Sequence, residues 1–187
     1  MKRYGKKPKK NIDYGYDANG NRSSRNVTDG LSTQEATYEY ATDSHHLLSV
    51  NTTENLISSE RTFSYNAAGN LIEDASPDRI LTMNYSQQNR LEEVQQTDPA
   101  TDSFGGLLGS LGGELAPPET LALYLHNALG QRVVKVATDP AANTHFQYNL
   151  AGQLIGETSA SGELVREYLY LNLNGTPVAM LEADNAQ

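Results

Sequence analysis

Any chemistry in this chain has to be built from four histidines, one Asp/Asn/Gly run and a scatter of carboxylates. His45 and His46 are adjacent, so on a strand they face opposite sides and share a metal poorly. His126 takes a place that Tyr holds elsewhere in the chain, where a packed ring with a polar tip accounts for it, and His145 precedes an aromatic at an expected strand start. Asp17-Ala18-Asn19-Gly20-Asn21 resembles the opening of a calcium loop. The bidentate carboxylate such a loop needs at its twelfth position falls on Thr28, which cannot supply it. No nucleophile–base–orienter trio, phosphate loop or carboxylate pair stands out. With no cysteine, disulfides, thiolate metal sites and cysteine nucleophiles are excluded. The expectation is therefore no catalytic residue, no metal and no cofactor.

A different regularity surrounds the glycines. DYGYDANGNR (13–22), TFSYNAAGNLI (62–72) and HFQYNLAGQLI (145–155) share an aromatic, a spacer, Tyr, Asp or Asn, two small residues, Gly and a polar residue, then an apolar residue or Arg. Weaker copies run from Tyr38 and Tyr40 to Leu47, from Met83 and Tyr85 to Leu91, and from Tyr124 and His126 to Arg132. The second column reads Tyr16, Tyr40, Tyr65, Tyr85, His126 and Tyr148, with intervals of 24, 25, 20, 41 and 22. The long interval holds a Gly/Pro/Leu-rich stretch, 98–120, whose removal restores the period. Such a period marks a repeat architecture.

Two-apart residues on a strand share a face, so each aromatic pair is one stripe of a β-strand. The pairs expected to form that stripe are Tyr14/Tyr16, Tyr38/Tyr40, Phe63/Tyr65, Tyr85 with Met83, Tyr124/His126, Phe146/Tyr148 and Tyr168/Tyr170. Asp17, Asn66, Asn127 and Asn149 suit the first position of a type I turn, and Gly20, Gly69, Gly130 and Gly152 the fourth. Gly also supplies the left-handed conformation of a bulged hairpin loop. The acid or amide can bond backbone amides two residues on. Leu71, Leu91, Val133 and Leu154 are then expected to reach the stripe from the returning strand. Further turns are expected at Gly162 and at Asn174-Gly175. The stretch 87–96, which alone could read as a short helix, is taken as strand because the repeat register demands it. The fold expected is all-β: about seven antiparallel hairpins forming a curved or spiral sheet.

Charge divides the chain unevenly. Residues 1–10 hold six of the fourteen Lys and Arg, leaving 8 basic and 23 acidic side chains, a net −15, in the rest. A body of that sign does not attract phosphates, so nucleic acid is not an expected partner. No apolar run is long enough for a membrane-spanning helix, and no apolar region follows the basic start as in a signal peptide. The organisation expected is a basic disordered terminus over 1–10, hairpins over 11–97, an inserted loop over 98–120, and hairpins again over 121–187.

YDANGNR, SYNAAGNLI, YLHNALGQRVVKV, QYNLAGQLIGE and GELVREYLYLNLNGTPVAML together resemble the YD-repeats of bacterial Rhs (rearrangement hotspot) proteins, which are related to the teneurin repeats. The likeness covers about 13–181, interrupted at 98–120, and the last run resembles the start of the Rhs core region. It implies a spiral β-sheet that closes as a hollow shell around a variable C-terminal toxin, in proteins that are secreted or displayed at the bacterial surface. The implied partners are the rest of the same Rhs chain and the enclosed toxin, with secretion-apparatus proteins or glycans as further ones. The later core segment and the self-cleaving motif of the family have no counterpart here. Asp98-Pro99 only superficially echoes that motif, so the chain is expected to be a segment of a larger protein. Two other readings are a surface adhesion or carbohydrate-binding module, which needs exposed aromatics, and an enzyme, which needs an acidic cleft; self-association through open sheet edges is a separate expectation.

Overall fold

The computed structural model describes residues 10–30, 32–99, 117–171 and 175–183. It contains fourteen strands, which follow one another in chain order across one antiparallel sheet. They are β1 (Lys10–Tyr16), β2 (Arg22–Asp29), β3 (Ser32–Tyr40), β4 (Leu47–Glu54), β5 (Ile57–Tyr65), β6 (Leu71–Ser76) and β7 (Arg79–Tyr85). The series continues with β8 (Leu91–Thr97), β9 (Glu119–His126), β10 (Arg132–Ala137), β11 (Thr144–Tyr148), β12 (Leu154–Ser159), β13 (Leu164–Tyr170) and β14 (Pro177–Glu182). No α-helix occurs among the described residues. A 3-10 turn at Pro140–Ala142 is capped by the Asp139 carboxylate, which accepts from the Ala141 amide. Of the expected basic terminus only Lys10 is described, and it opens β1. Asn174 and 100–116 of the 98–120 stretch lie outside the described residues.

Two compact units part inside β7: Met1–Thr82 with Thr97–Ala116, and Met83–Gln96 with Pro117–Gln187. In the first, hairpins β1–β2, β3–β4 and β5–β6 are joined to one another, and to the start of β7: Asp29 pairs with Ser32 across the first join, and two-residue turns at 55–56 and 77–78 make the other two. The Asn55-Leu56 turn has positive φ at both residues, 49° and 70°. That is the type I′ geometry that matches strand twist. The second unit repeats the hairpin plan with β9–β10, β11–β12 and β13–β14.

One starting register is shared by every join between hairpins, although the β8–β9 and β12–β13 ladders slip by one residue further along, at Val94/Gln95 and Glu157/Thr158. The third residue of a returning strand lies opposite the residue three before the column Tyr or His of the next hairpin. The pairs are Ser24↔Thr37, Ser49↔Thr62, Glu73↔Thr82, Glu93↔Leu123, Val134↔His145 and Gly156↔Glu167. The β8–β9 join keeps this register although 98–118 separate its strands.

Inside six of the hairpins the ladder slips by one residue beside the turn, at Gly15/Tyr16, Glu39/Tyr40, Ser64/Tyr65, Arg132/Val134, Gln147/Tyr148 and Leu169/Tyr170. The bulge residue opposite each slip is left out of the pairing.

Little is deeply buried. The buried apolar residues are Val27, Ala36 and Ala122, the tightest at 3 % exposure. A sheet normally covers its apolar face with a second layer, and each unit supplies one layer. The large side chains are accordingly half-covered by their lateral neighbours. On the face opposite the aromatics, the first unit carries polar rows such as Asn26–Glu35–Thr53–Ser58. The second carries the apolar pairs Leu123–Val136 and Leu125–Val134.

Candidate functional site: the aromatic face and its turns

The paired aromatics lie on one face of each unit because their spacing of two matches the pleat. Along β3, Gln34, Ala36, Tyr38 and Tyr40 are sheltered while the residues between them are exposed. The same alternation places Phe63 and Tyr65 together, Tyr124 and His126 together, Phe146 and Tyr148 together, and Tyr168 and Tyr170 together. Tyr85 ends β7, half-buried, two residues after Met83. Tyr14 and Tyr16 share the face on β1 but lie open, Tyr16 at 61 % exposure.

Successive hairpins are fastened by the second residue of the pair. The Tyr65 hydroxyl donates to the Leu47 carbonyl at 3.0 Å, Tyr148 to Arg132 at 3.0 Å and Tyr170 to Leu154 at 2.9 Å. In every case the acceptor is the first residue of the preceding hairpin's returning strand. A Tyr delivers apolar area with its ring and a directional bond with its tip, and here the tip ties one repeat to the previous one. Burial pushes the Tyr65 phenol above its ordinary value. Its ring stacks on His46, with centroids 4.3 Å apart.

Where the returning strand opens with Arg rather than Leu, the guanidinium bridges two hairpins. Arg22 lies over Tyr14 at 4.8 Å and Tyr38 at 5.8 Å, and Arg132 over Tyr124 at 5.3 Å and Phe146 at 4.7 Å. This corrects one expectation. Arg132 pairs with His126 as Leu71 pairs with Tyr65, and Val133 is the bulge residue.

The bulge also brings two carboxylates onto the aromatic face that a strict alternation from Leu71 and Leu154 places on the other. Asp74 stands opposite Phe63 and Glu157 opposite Phe146. Both are buried, and both are paired. Arg61 makes a two-point bond to Asp74, which pushes the guanidinium further up. Glu157 accepts from Arg166 Nη1 at 3.2 Å and from the Tyr168 hydroxyl at 2.7 Å, and the second bond raises the phenol. The sequence signal for these pairs was present: Arg61 and Arg166 each stand two residues before an aromatic pair.

At the turns, one side-chain oxygen takes two backbone amides. Asp17 accepts from Asn19 and Asn21, Asn66 from Ala68 and Asn70, Asn127 from Leu129 and Gln131, and Asn149 from Ala151 and Gln153. The side-chain bond from Asn21 leads the causes that hold the Asp17 carboxyl below its usual value. Gly20, Gly69, Gly130 and Gly152 all have positive φ, and Asn89 takes the same place after Ser86. Gly130 has a second reason: a Cβ there would lie 2.5 Å from Arg90 Nη2. Neighbouring turns touch in the same way elsewhere. His45 meets Asn21 at 2.6 Å, and the amides of Gln131 and Gln153 donate to the carbonyls of Gly152 and Gly175 at 3.5 Å. Gly162 belongs to a turn at the opposite end of the strands, where Ser159 Oγ accepts from the Glu163 amide.

A hollow of about 530 Å³ runs along the β7–β8 and β9–β10 turns, lined by Ser86, Arg90, Tyr124, His126 and Gly130 among others. Among the described residues no three His, Cys, Asp or Glu side chains gather to hold a metal. No helix among them is long and apolar enough to cross a membrane. The face thus fastens strand to strand and turn to turn.

No curated protein matches the sequence. Among solved structures, the crystal structure of a TcdB2-TccC3-Cdc42 assembly is similar in fold. The TM-score is 0.53 at 13% identity, covering 92% of this chain and 9% of that one. A Photorhabdus luminescens Tc holotoxin pore bearing a substitution in TccC3 is similar too. There the TM-score is 0.51 at 15% identity, covering 90% of this chain and 9% of that one. The chain therefore spans about a tenth of the length of these structures. The family model described as Teneurin YD-shell matches residues 2–178, from ahead of β1 to the first residues of β14, and the chain belongs to that family.

Proposed function

We propose that this chain is a non-catalytic wall segment of an Rhs/YD-repeat shell that encloses a C-terminal toxin and helps deliver it outside the cell. The observation that supports this reading best is the starting register shared by six joins, with the phenol-to-carbonyl bond repeated at three of them. A device that fastens each repeat to the next in this way builds an extended sheet. In this reading the paired aromatics and the Asp/Asn–Gly turns are the functional residues, and 98–120 is a loop inserted at one join.

The same bonds weigh against a carbohydrate-binding module. The hydroxyls of Tyr65, Tyr148 and Tyr170 are spent on backbone, and the Tyr65 ring is covered by His46. The test is protease protection of the parent polypeptide that carries this segment. Its C-terminal portion should resist digestion in the wild type and become cleavable when Tyr148 and Tyr170 are both changed to Phe. A C-terminal portion digested equally fast in both would overturn the enclosure reading.

A further inference from the structure

Three joins are clasped by a phenol; at the β8–β9 join the parts of that clasp recur around an imidazole. The β4–β5 join is the template. His46 and Leu47 follow the turn of one hairpin, and Tyr65 is the column residue of the next. His46 stacks on the Tyr65 ring at 4.3 Å, and the Leu47 carbonyl accepts from the Tyr65 hydroxyl at 3.0 Å. A Cβ on Gly69, in the following turn, would lie 3.4 Å from His46 Nε2. At the β8–β9 join Arg90 and Leu91 take the places of His46 and Leu47, and Tyr124 and His126 those of Phe63 and Tyr65. Gly130 takes the place of Gly69, with Arg90 Nη2 where His46 Nε2 stands in the template. An imidazole is shorter than a phenol. The hydroxyls that reach a first-residue carbonyl among the described residues belong to Tyr65, Tyr148 and Tyr170, and the Leu91 carbonyl has no such donor.

What this join has in place of the phenol is the hollow of about 530 Å³, lined by Arg90, Glu92, Tyr124, His126 and Gly130 among others. Small-molecule sites are of this size, roughly 300–1,000 Å³. Its charges are unused: the ion pairs among the described residues are Arg61–Asp74, Arg166–Glu157 and Arg166–Glu182. These walls choose between ligands. A carboxylate or phosphate drawn to Arg90 would also meet Glu92, a like charge in the same hollow. A neutral ring bearing a hydroxyl meets no such repulsion. Arg90 can lie over its face, as Arg22 lies over Tyr14 at 4.8 Å and Arg132 over Phe146 at 4.7 Å. The hydroxyl then has the Leu91 carbonyl as its acceptor, as Tyr65 has that of Leu47.

We propose that the hollow at the β8–β9 join is a binding site for a phenol, whose hydroxyl donates to the Leu91 carbonyl and whose ring lies between Arg90 and His126. The site goes beyond the wall reading and rests only on the equivalence of the two joins. The probe is p-cresol, titrated into the full chain and followed by nuclear magnetic resonance. It should move the His126 ring signals and the Gly130 amide together, and saturably. Toluene, the same shape without the hydroxyl, should bind about fivefold more weakly, the worth of one hydrogen bond. His126→Tyr supplies the phenol from the chain itself. It should abolish the shift of the Gly130 amide and raise the midpoint of urea unfolding. N-acetyltyrosine amide separates two sources of the ligand: if it binds as tightly as p-cresol the site admits a tyrosine of another polypeptide, and if it is shut out the site takes a free phenol. Shifts that never saturate, toluene bound as tightly as p-cresol, or p-cresol bound undiminished by His126→Tyr with unchanged circular dichroism would each overturn the proposal.

Discussion

A phenol and a carbonyl decide how each repeat meets the next, so the first tests belong to single side chains. Tyr148→Phe keeps the ring and removes the bond to the Arg132 carbonyl. A hydrogen bond of this kind is worth about 1 kcal/mol net, and the variant should lose about that much in urea unfolding. Unchanged stability would mean that the ring alone fastens the hairpins. Asp17 offers a pH test. Its folded carboxyl sits below the ordinary value of 3.8, so its contribution is complete above that value and is lost as pH falls through the lower folded one. Asp17→Asn keeps the acceptor oxygen, as Asn66, Asn127 and Asn149 show. The variant should therefore match the wild type in acid and differ from it only above the carboxylate range. A difference that persists in acid would refute the charge argument.

At the scale of the strand and its turn, bulges and short turns set which residues share a face. The slip beside the turn means that the aromatic face receives the first and fourth residues of a returning strand, such as Leu71 with Asp74 or Leu154 with Glu157. The β4–β5 turn carries an avoidable strain. Leu56 has φ of 70° and is 96 % exposed, so its side chain gains little from the fold. A left-handed non-Gly residue costs roughly 1–2 kcal/mol, and glycine gives back about 0.4–1 kcal/mol through the unfolded chain. Leu56→Gly should stabilise the protein by about 0.5–1 kcal/mol. A rise in the thermal midpoint would show this, and a fall would mean that Leu56 has a packing partner.

Among the described residues the sheet order is the sequence order, so each strand pairs with its neighbours in the series. Stability in such an array is close to a sum of repeat and join terms, and opening can begin locally. β14 is exposed along its whole length and β1 along all but Gly15. Amide exchange should be fastest in these two strands and slowest in interior strands such as β3 and β12, which hold the buried Ala36 and Gly156–Thr158. Uniform protection from β1 to β14 would show a single cooperative unit instead.

The hairpins, the aromatic stripe and the turn chemistry could all be read from the residues, because each rests on a local rule. Period two places Tyr38 with Tyr40, and a left-handed turn position selects glycine at 20, 69, 130 and 152. Over 87–96 the repeat, and not local helix propensity, dictates the outcome: 87–90 belong to the turn and 91–96 to β8. What stayed hidden was non-local. A bulge reverses the parity of the returning strand, so it puts Asp74 and Glu157 on the aromatic face and seats Arg132 where Val133 was expected. The phenol-to-carbonyl bonds were equally invisible, since they depend on how far one hairpin is slid against the next. Residue types and spacing determined the repeat; only packing strand against strand decided the slide, and with it which groups meet.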